Sequence, residues 1–348
     1  MLPNQKQQIV DAIIATEAQL EFSTALHPLN EKEQREKFLS GEVDEPSFTY
    51  KENSVMVSPT NHDTIFPEFE VQTEMDSLYR DRMGLSKGLT LLLELVGSDR
   101  EFSAFSEILY PVTDVGEPPS LQKDTETPSI PAEKIAETFR GALASLNLED
   151  WTVEIVDACS SRLFVNQWAK KVVVRSNVSV TKKELSDLTR HEIGVHVLRY
   201  AQGSKQSEPL LSVGTLLGRI IEEGVACYIE NPAGHPRIYE RHLAVQTALG
   251  HSFRETWQAL QENGCTPEEA WTHTLRVKRG LADGASHGAF TRDALYAQGY
   301  EEIRRYVEKR GDLTPLLSAP IHPEEIDMLK GEANLHIFDL IPTLHGNA

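Results

Sequence analysis

Two histidines set five residues apart in an apolar helical run constrain this chain more than any other feature. The stretch is His191-Glu192-Ile193-Gly194-Val195-His196. It is one residue longer than H-E-x-x-H, where two histidines one turn apart share a zinc ion and the glutamate serves as general base. An ideal α-helix turns about 100° per residue, so rings at i and i+5 diverge by about 140° and cannot share an ion. Either the histidines are unrelated residues of a surface helix, or the helix is widened here. A π-bulge, with i→i+5 bonding, returns residues five apart to a common face. Gly194 has the backbone freedom to accept it, at a cost of about 1 kcal/mol in helix propensity.

A catalytic zinc takes three protein ligands and keeps a fourth position for water, so a third ligand must come from another element. Leu210 to Glu230 reads as an apolar helix interrupted by Glu222-Glu223 and followed by Gly224-Val225-Ala226. Carboxylates in such a helix are costly to bury without a partner. A metal would supply one; the alternative is a solvated helix face.

The 348 residues, 40% hydrophobic and 25% charged, suffice for one large or two ordinary folded domains. A net charge of −19 argues against a nucleic-acid partner, which needs clustered Lys and Arg. Cys159, Cys227 and Cys265 form no C-x-x-C pair, which fits a reducing compartment. Met1 to Phe22 lacks a basic segment followed by an apolar one, and the most apolar run, Leu89 to Val96, is too short to span a membrane. The expectation is a cytoplasmic protein with no membrane partner; the oligomeric state is not legible.

Along the chain, Gln5–Phe22 reads as an amphipathic helix, Asn30 to Gly41 brackets a short one, and Met75–Val96 is a long buried helix followed by another through Phe102, Phe105 and Leu109. Residues 1–110 thus form a helical region. Residues 111–131, rich in Pro, Ser, Thr and acids, read as a linker or long loop. In 132–348 a helix over Ala132–Leu146 precedes three β-rich runs, Val153–Asp157, Arg162–Asn166 and Lys171–Arg175, the last two forming a hairpin. Thr181 with Glu184 opens the histidine helix, and Thr266-Pro267-Glu268-Glu269 opens another. The fold class expected is α+β, mostly helical with a small mixed sheet.

HEIGVHVLR at His191–Arg199 followed by EEGVA at Glu222–Ala226 resembles the microtubule-associated tyrosine carboxypeptidase family, whose bacterial relatives are labelled flavohaemoglobin-expression-modulating proteins with a QEGLA motif. HPLNEKEQREKFL near the start, PSFTY at Pro46–Tyr50, FSEILYP at Phe105–Pro111 and RGLADGASHGAFTRDALYAQG at Arg279–Gly299 are similar to the same family, so the resemblance spans nearly the whole chain. It implies a zincin-like metallopeptidase with one zinc ion per chain and an active-site helix distorted at H-E-x-x-x-H. Carried over by position, His191 and His196 are ligands and Glu192 is the general base. Glu223, aligned with the single acid of QEGLA, is the third ligand, and Glu222 stands behind it in the Gln position.

Such a centre runs peptide hydrolysis, with Glu192 taking a proton from a zinc-activated water and passing it to the leaving amine. Tyr296 is a candidate donor to the carbonyl oxygen, the alternative being a half-buried helix residue. A substrate that is a peptide or protein C-terminal tail needs a cation for its carboxylate, and Arg162, Arg279 and Arg292 are the candidates. Arg199 would hold helix ends or a ligating group, and the hairpin strand before the motif could pair with an extended peptide. Eukaryotic family members remove a terminal tyrosine from tubulin; this acidic chain, with no basic tract, does not by itself imply that substrate. Two other readings are a regulatory metal-binding protein with weak turnover and a metal-dependent amidase acting on a non-peptide substrate. The presence of Glu192 beside both histidines favours catalysis.

Overall fold

The computed structural model describes residues 1–51, 65–116, 126–157 and 161–339. Helices α1 (Pro3–Glu17), α2 (Phe22–Ala25), α3 (Glu31–Ser40), α4 (Glu74–Glu94) and α5 (Asp99–Leu109) form the first part. Strand β1 (Ile130–Pro131) leads into α6 (Ala132–Ser145), then β2 (Thr152–Val156), β3 (Leu163–Asn166), β4 (Lys171–Arg175) and β5 (Ser179–Val180). The motif region follows as α7 (Lys182–Leu188), a π-helix (Thr189–Val197) and α8 (Leu198–Gly203). Beyond it lie α9 (Leu216–Ile220), α10 (Glu222–Glu230), α11 (Pro236–Gly250), α12 (Phe253–Glu262), α13 (Pro267–Lys278), α14 (Ala294–Arg310), α15 (Thr314–Leu317) and α16 (Ile326–Glu332). The described residues are therefore mostly helical with two small sheets, an α+β arrangement.

The main sheet has the order β2-β4-β3, with β2 parallel and β3 antiparallel to β4. Its β-branched run Val172-Val173-Val174 is buried throughout, as a central strand covered on both faces should be. Val172 and Val174 pack with Ile135 and Phe139 of α6 and with Ile193 and Val197 of the π-helix. Val195 belongs to another core, with Ile9 and Ile13 of α1, Tyr79 and Met83 of α4, Val225 of α10 and Leu316. The motif segment is thus clamped by apolar residues on two sides. That second core joins residues before and after 111–131. Of that segment, 117–125 lie outside the described residues, as does Cys159. Gln298 on α14 donates to Pro111 O (3.0 Å) and accepts from Thr113 N (3.1 Å).

Two expectations need correction. Leu210–Glu230 is not one helix: a 3-10 turn over Pro209–Ser212, α9 and α10 divide it. The first break falls at Gly214, whose φ of +77° suits glycine, and a Cβ there would lie 2.7 Å from Pro320 Cβ. Thr215 then restarts the helix by accepting from Gly218 N (2.9 Å). The hairpin strand that precedes the motif in sequence, β4, is flanked on both edges by β2 and β3, so it has no edge for a peptide. Among the described residues, no helix is long and apolar enough to cross a membrane.

Candidate metal centre

The H-E-x-x-x-H residues lie in a nine-residue π-helix rather than at a single-residue bulge. Its flanks, Leu188 (φ −64°, ψ −33°) and Leu198 (φ −63°, ψ −45°), keep the chain right-handed, so α7, the π-helix and α8 continue one another. Bonding i→i+5 adds one residue per turn and brings His191 and His196 to the same side. Their ring centroids are 5.0 Å apart, with planes inclined at 65°.

Helix α10 faces these rings. Glu223 Oε2 lies 3.6 Å from His191 Nε2 and 3.6 Å from His196 Nε2. The other ring nitrogens are taken by carboxylates of the same helix: His191 Nδ1 is 2.8 Å from Glu230 Oε2 and His196 Nδ1 is 2.9 Å from Glu222 Oε1. Both carboxylates are themselves held. Arg219 bonds Glu222 Oε2 (2.9 Å), Tyr200 donates to the same oxygen (3.3 Å), and Arg237 bonds Glu230 Oε1 (3.1 Å). Glu230 was missed at the sequence level, although its position seven residues after Glu223 places it on the same helical face. Arg219 and Arg237 carried no sequence signal.

The electrostatics suit a cation. Burial alone would lower His191, but hydrogen bonds to Glu223 and Glu230 outweigh it and raise the ring to about 9. His196 is raised against burial to about 10 by Glu222 and Glu223. Burial pushes the Glu222 carboxyl up, yet Arg219 and His196 hold it at about 2. Glu192, buried within the π-helix, is raised by that burial and only partly brought down by His191 and His196. Ring protons here balance anions that a dication would balance instead.

The donor set fits zinc. Tetrahedral ligands about 2.0–2.1 Å from the ion stand about 3.4 Å apart, and both His–Glu223 separations are 3.6 Å. His191, His196 and Glu223 offer donor atoms that all lie within 4.8 Å of one another. A carboxylate behind each ring fixes the tautomer with Nδ1–H outward and Nε2 free for a metal.

Of the remaining residues singled out from sequence, Arg292 and Tyr296 stand at this centre. Arg292 lies 3.6 Å from Glu223 Oε1 and is 43% exposed. Tyr296, on α14, is raised by burial and by the Glu223 charge. Arg162 and Arg279 are placed elsewhere. Arg162 bonds Glu184 Oε1 (3.0 Å) and Ser179 O (3.3 Å), so its charge serves the α7 N-terminus. Arg279 caps α13, where the charges acting on it are Arg276, Asp293, Glu31 and Tyr50. Arg199 is fully buried and bonds Leu316 O (2.8 Å) and Ile321 O (2.9 Å), tying α8 to the α15 region.

Helix α14 reaches the centre through one close crossing. A Cβ built on Gly224 would sit 2.2 Å from the Gly299 carbonyl carbon, so the backbones of α10 and α14 touch at these two glycines. The contact sets Tyr296, one turn before Gly299, beside Glu223.

Residues 97–337 match the sequence model of the microtubule-associated tyrosine carboxypeptidase family. Human microtubule-associated tyrosine carboxypeptidase 1 is 26% identical over 162 residues, 42% of this chain and 33% of that protein. The mouse protein of the same name is 28% identical over 136 residues, 35% of this chain and 28% of its own. The rat protein is 27% identical, again over 35% of this chain and 28% of its own. The aligned segments thus cover about a third or less of each relative. The family match runs over more than half of the sequence and includes both histidines and the whole of α10, and the chain belongs to the microtubule-associated tyrosine carboxypeptidase family.

Proposed function

We propose that this chain is a zincin-like, zinc-dependent metallo-carboxypeptidase that hydrolyses a peptide bond near the C-terminus of a peptide or protein. The observation that carries the reading is the convergence of His191 Nε2, His196 Nε2 and Glu223 Oε2, with Glu192 in the same buried π-helix. These three residues would hold one zinc ion per chain. When bound, the ion supplies Lewis-acid polarisation of the scissile carbonyl and a water made nucleophilic near neutral pH.

The rest is work for side chains. Glu192, its basicity raised by burial, accepts the proton of the attacking water and returns it to the leaving amine. Tyr296, kept protonated by its surroundings, donates to the developing oxyanion. Arg292 is the one of the three substrate-binding arginines named from sequence that borders the centre, where it adds positive charge beside Glu223. All of these residues fall between 191 and 296, within the 132–348 region assigned to catalysis. The names of the relatives make tyrosine the first terminal residue to test. Cys227 and Cys265, both buried, are in keeping with a cytoplasmic setting.

A peptide library with free or amidated C-termini tests the class of reaction. Release of single residues from free C-termini only is expected, and equal cleavage of amidated peptides removes the carboxypeptidase reading. Glu192→Gln is expected to lower kcat by about 10²- to 10⁴-fold with bound zinc unchanged by elemental analysis. Undiminished turnover takes Glu192 out of the chemistry.

A further inference from the structure

Against Tyr296 stands a guanidinium that, among the described residues, makes no hydrogen bond or ion pair. Arg241 projects from α11 and packs against Tyr296, its guanidinium carbon 4.6 Å from the ring centroid, a cation–π contact. Arg241 Nε is buried without a hydrogen-bond partner. Its neighbours are already engaged: Arg276 forks onto Asp293 (2.6 and 2.8 Å), Arg237 bonds Glu230 (3.1 Å) and Arg292 faces Glu223 (3.6 Å). Burial and then Arg276 lower Arg241 to about 10, with Tyr296 and Asp293 acting in the opposite direction. A half-buried cation beside two other arginines is costly with no anion in contact, which points to one brought by a ligand.

Its position says which anion. Arg292, just before α14, meets Glu223 (3.6 Å) and Gly299 meets Gly224, so the Tyr296 turn between them lies along α10 beside Glu223, and Arg241 packs on that Tyr296 ring. In carboxypeptidase hydrolysis the terminal carboxylate lies a single residue, about 3.8 Å of chain, beyond the scissile carbonyl. A planar N–H edge matches a planar carboxylate in a bidentate pair. Arg292 is less suited to that task, because it already shares its charge with Glu223 (3.6 Å).

We propose that Arg241, stacked on Tyr296, is the residue that grips the C-terminal carboxylate of the substrate and so restricts the enzyme to chain ends. The proposal rests on the carboxypeptidase reading above, and the test separates the two. Zinc-loaded Glu192→Gln protein, which binds without turnover, is titrated calorimetrically with a blocked Gly-Tyr peptide carrying either a free carboxylate or a carboxamide. The acid is expected to bind about 10- to 100-fold more tightly than the amide. Adding Arg241→Met should erase that preference while leaving amide binding unchanged, and Arg241→Lys should weaken acid binding about 10-fold because it keeps the charge but not the fork. The melting temperature of the metal-loaded Met variant should equal or exceed that of its parent, since an unanswered cation is gone. The Lys variant decides the matter if the Met variant does not fold. Acid preference retained in full by either folded variant overturns the role of Arg241 and leaves the carboxypeptidase reading standing. Absence of any acid preference in the parent overturns both.

Discussion

Each motif histidine offers Nδ1 to a carboxylate of α10 and turns Nε2 toward Glu223. That division assigns unequal roles to three glutamates on one helix, with Glu223 between the rings and Glu222 and Glu230 behind them. Glu230→Gln leaves the donor set intact but weakens the acceptor behind His191, so zinc affinity should fall about 10- to 100-fold in competition with a chelator. An unchanged affinity would reduce Glu230 to a surface partner of Arg237. A second residue-scale prediction concerns Asp293, 4% exposed and forked by Arg276. Burial pushes this carboxyl up, but Arg276 more than reverses it and holds it well below the usual aspartate range. A depressed folded pKa stabilises the fold fully above the ordinary value near 4, and that contribution is lost as pH falls toward the folded pKa. Arg276→Met should therefore cost about 3 kcal/mol at neutral pH and move the acid-unfolding midpoint upward. A midpoint that stays in place would show that Arg241 and Arg279 suffice. His191, His196, Glu192 and Glu223 were legible as candidates because their spacing lies within two short motifs. Arg241 was not, since an arginine in sequence does not reveal whether a carboxylate will meet it.

At the scale of elements, the site depends on how α10 meets its two neighbours. The π-helix buries Ile193 and Val197 against the sheet and Val195 against the other core, which leaves the histidine side for α10. On its far side α10 touches α14 at Gly224 and Gly299. Gly224→Ala would put a methyl 2.2 Å from a backbone carbon that cannot rotate away, so the helices must part. Overpacking of this kind costs about 1–3 kcal/mol. Because Glu223 and Tyr296 ride on the two helices, kcat should fall by more than the loss of folded protein explains. Calorimetric melting and kinetics on the same preparation check this, and an unaltered kcat would show that the crossing does not position the centre. Elements governed by local chemistry were legible: α3 ends at Gly41 with φ +79°, and α13 opens with the Thr266 capping box and Pro267. The division of Leu210–Glu230 was not, because it arises where Gly214 and Gly218 press on Pro320, more than a hundred residues later in the chain.

For the whole molecule, the core that contains Val195 and Val225 is also built from Ile9, Ile13, Tyr79 and Met83. A fragment of 132–348 would keep every residue of the centre but expose that half of the core, at about 25 cal/mol per Å² of apolar surface left in water. It should therefore fail to give a cooperative thermal transition by circular dichroism, whereas the full chain should melt as one unit. A cooperatively folded, zinc-binding fragment would show that the N-terminal helices are dispensable. The sequence by itself determined the helical character, the hairpin and the candidate donors, because turns, caps, strand alternation and motif spacing act over a few neighbouring residues. The tertiary structure alone decided which arginines stand at the centre, which carboxylates support the histidines and where the long apolar run breaks. Those outcomes depend on distances between segments far apart in the chain, and no local pattern encodes such a distance.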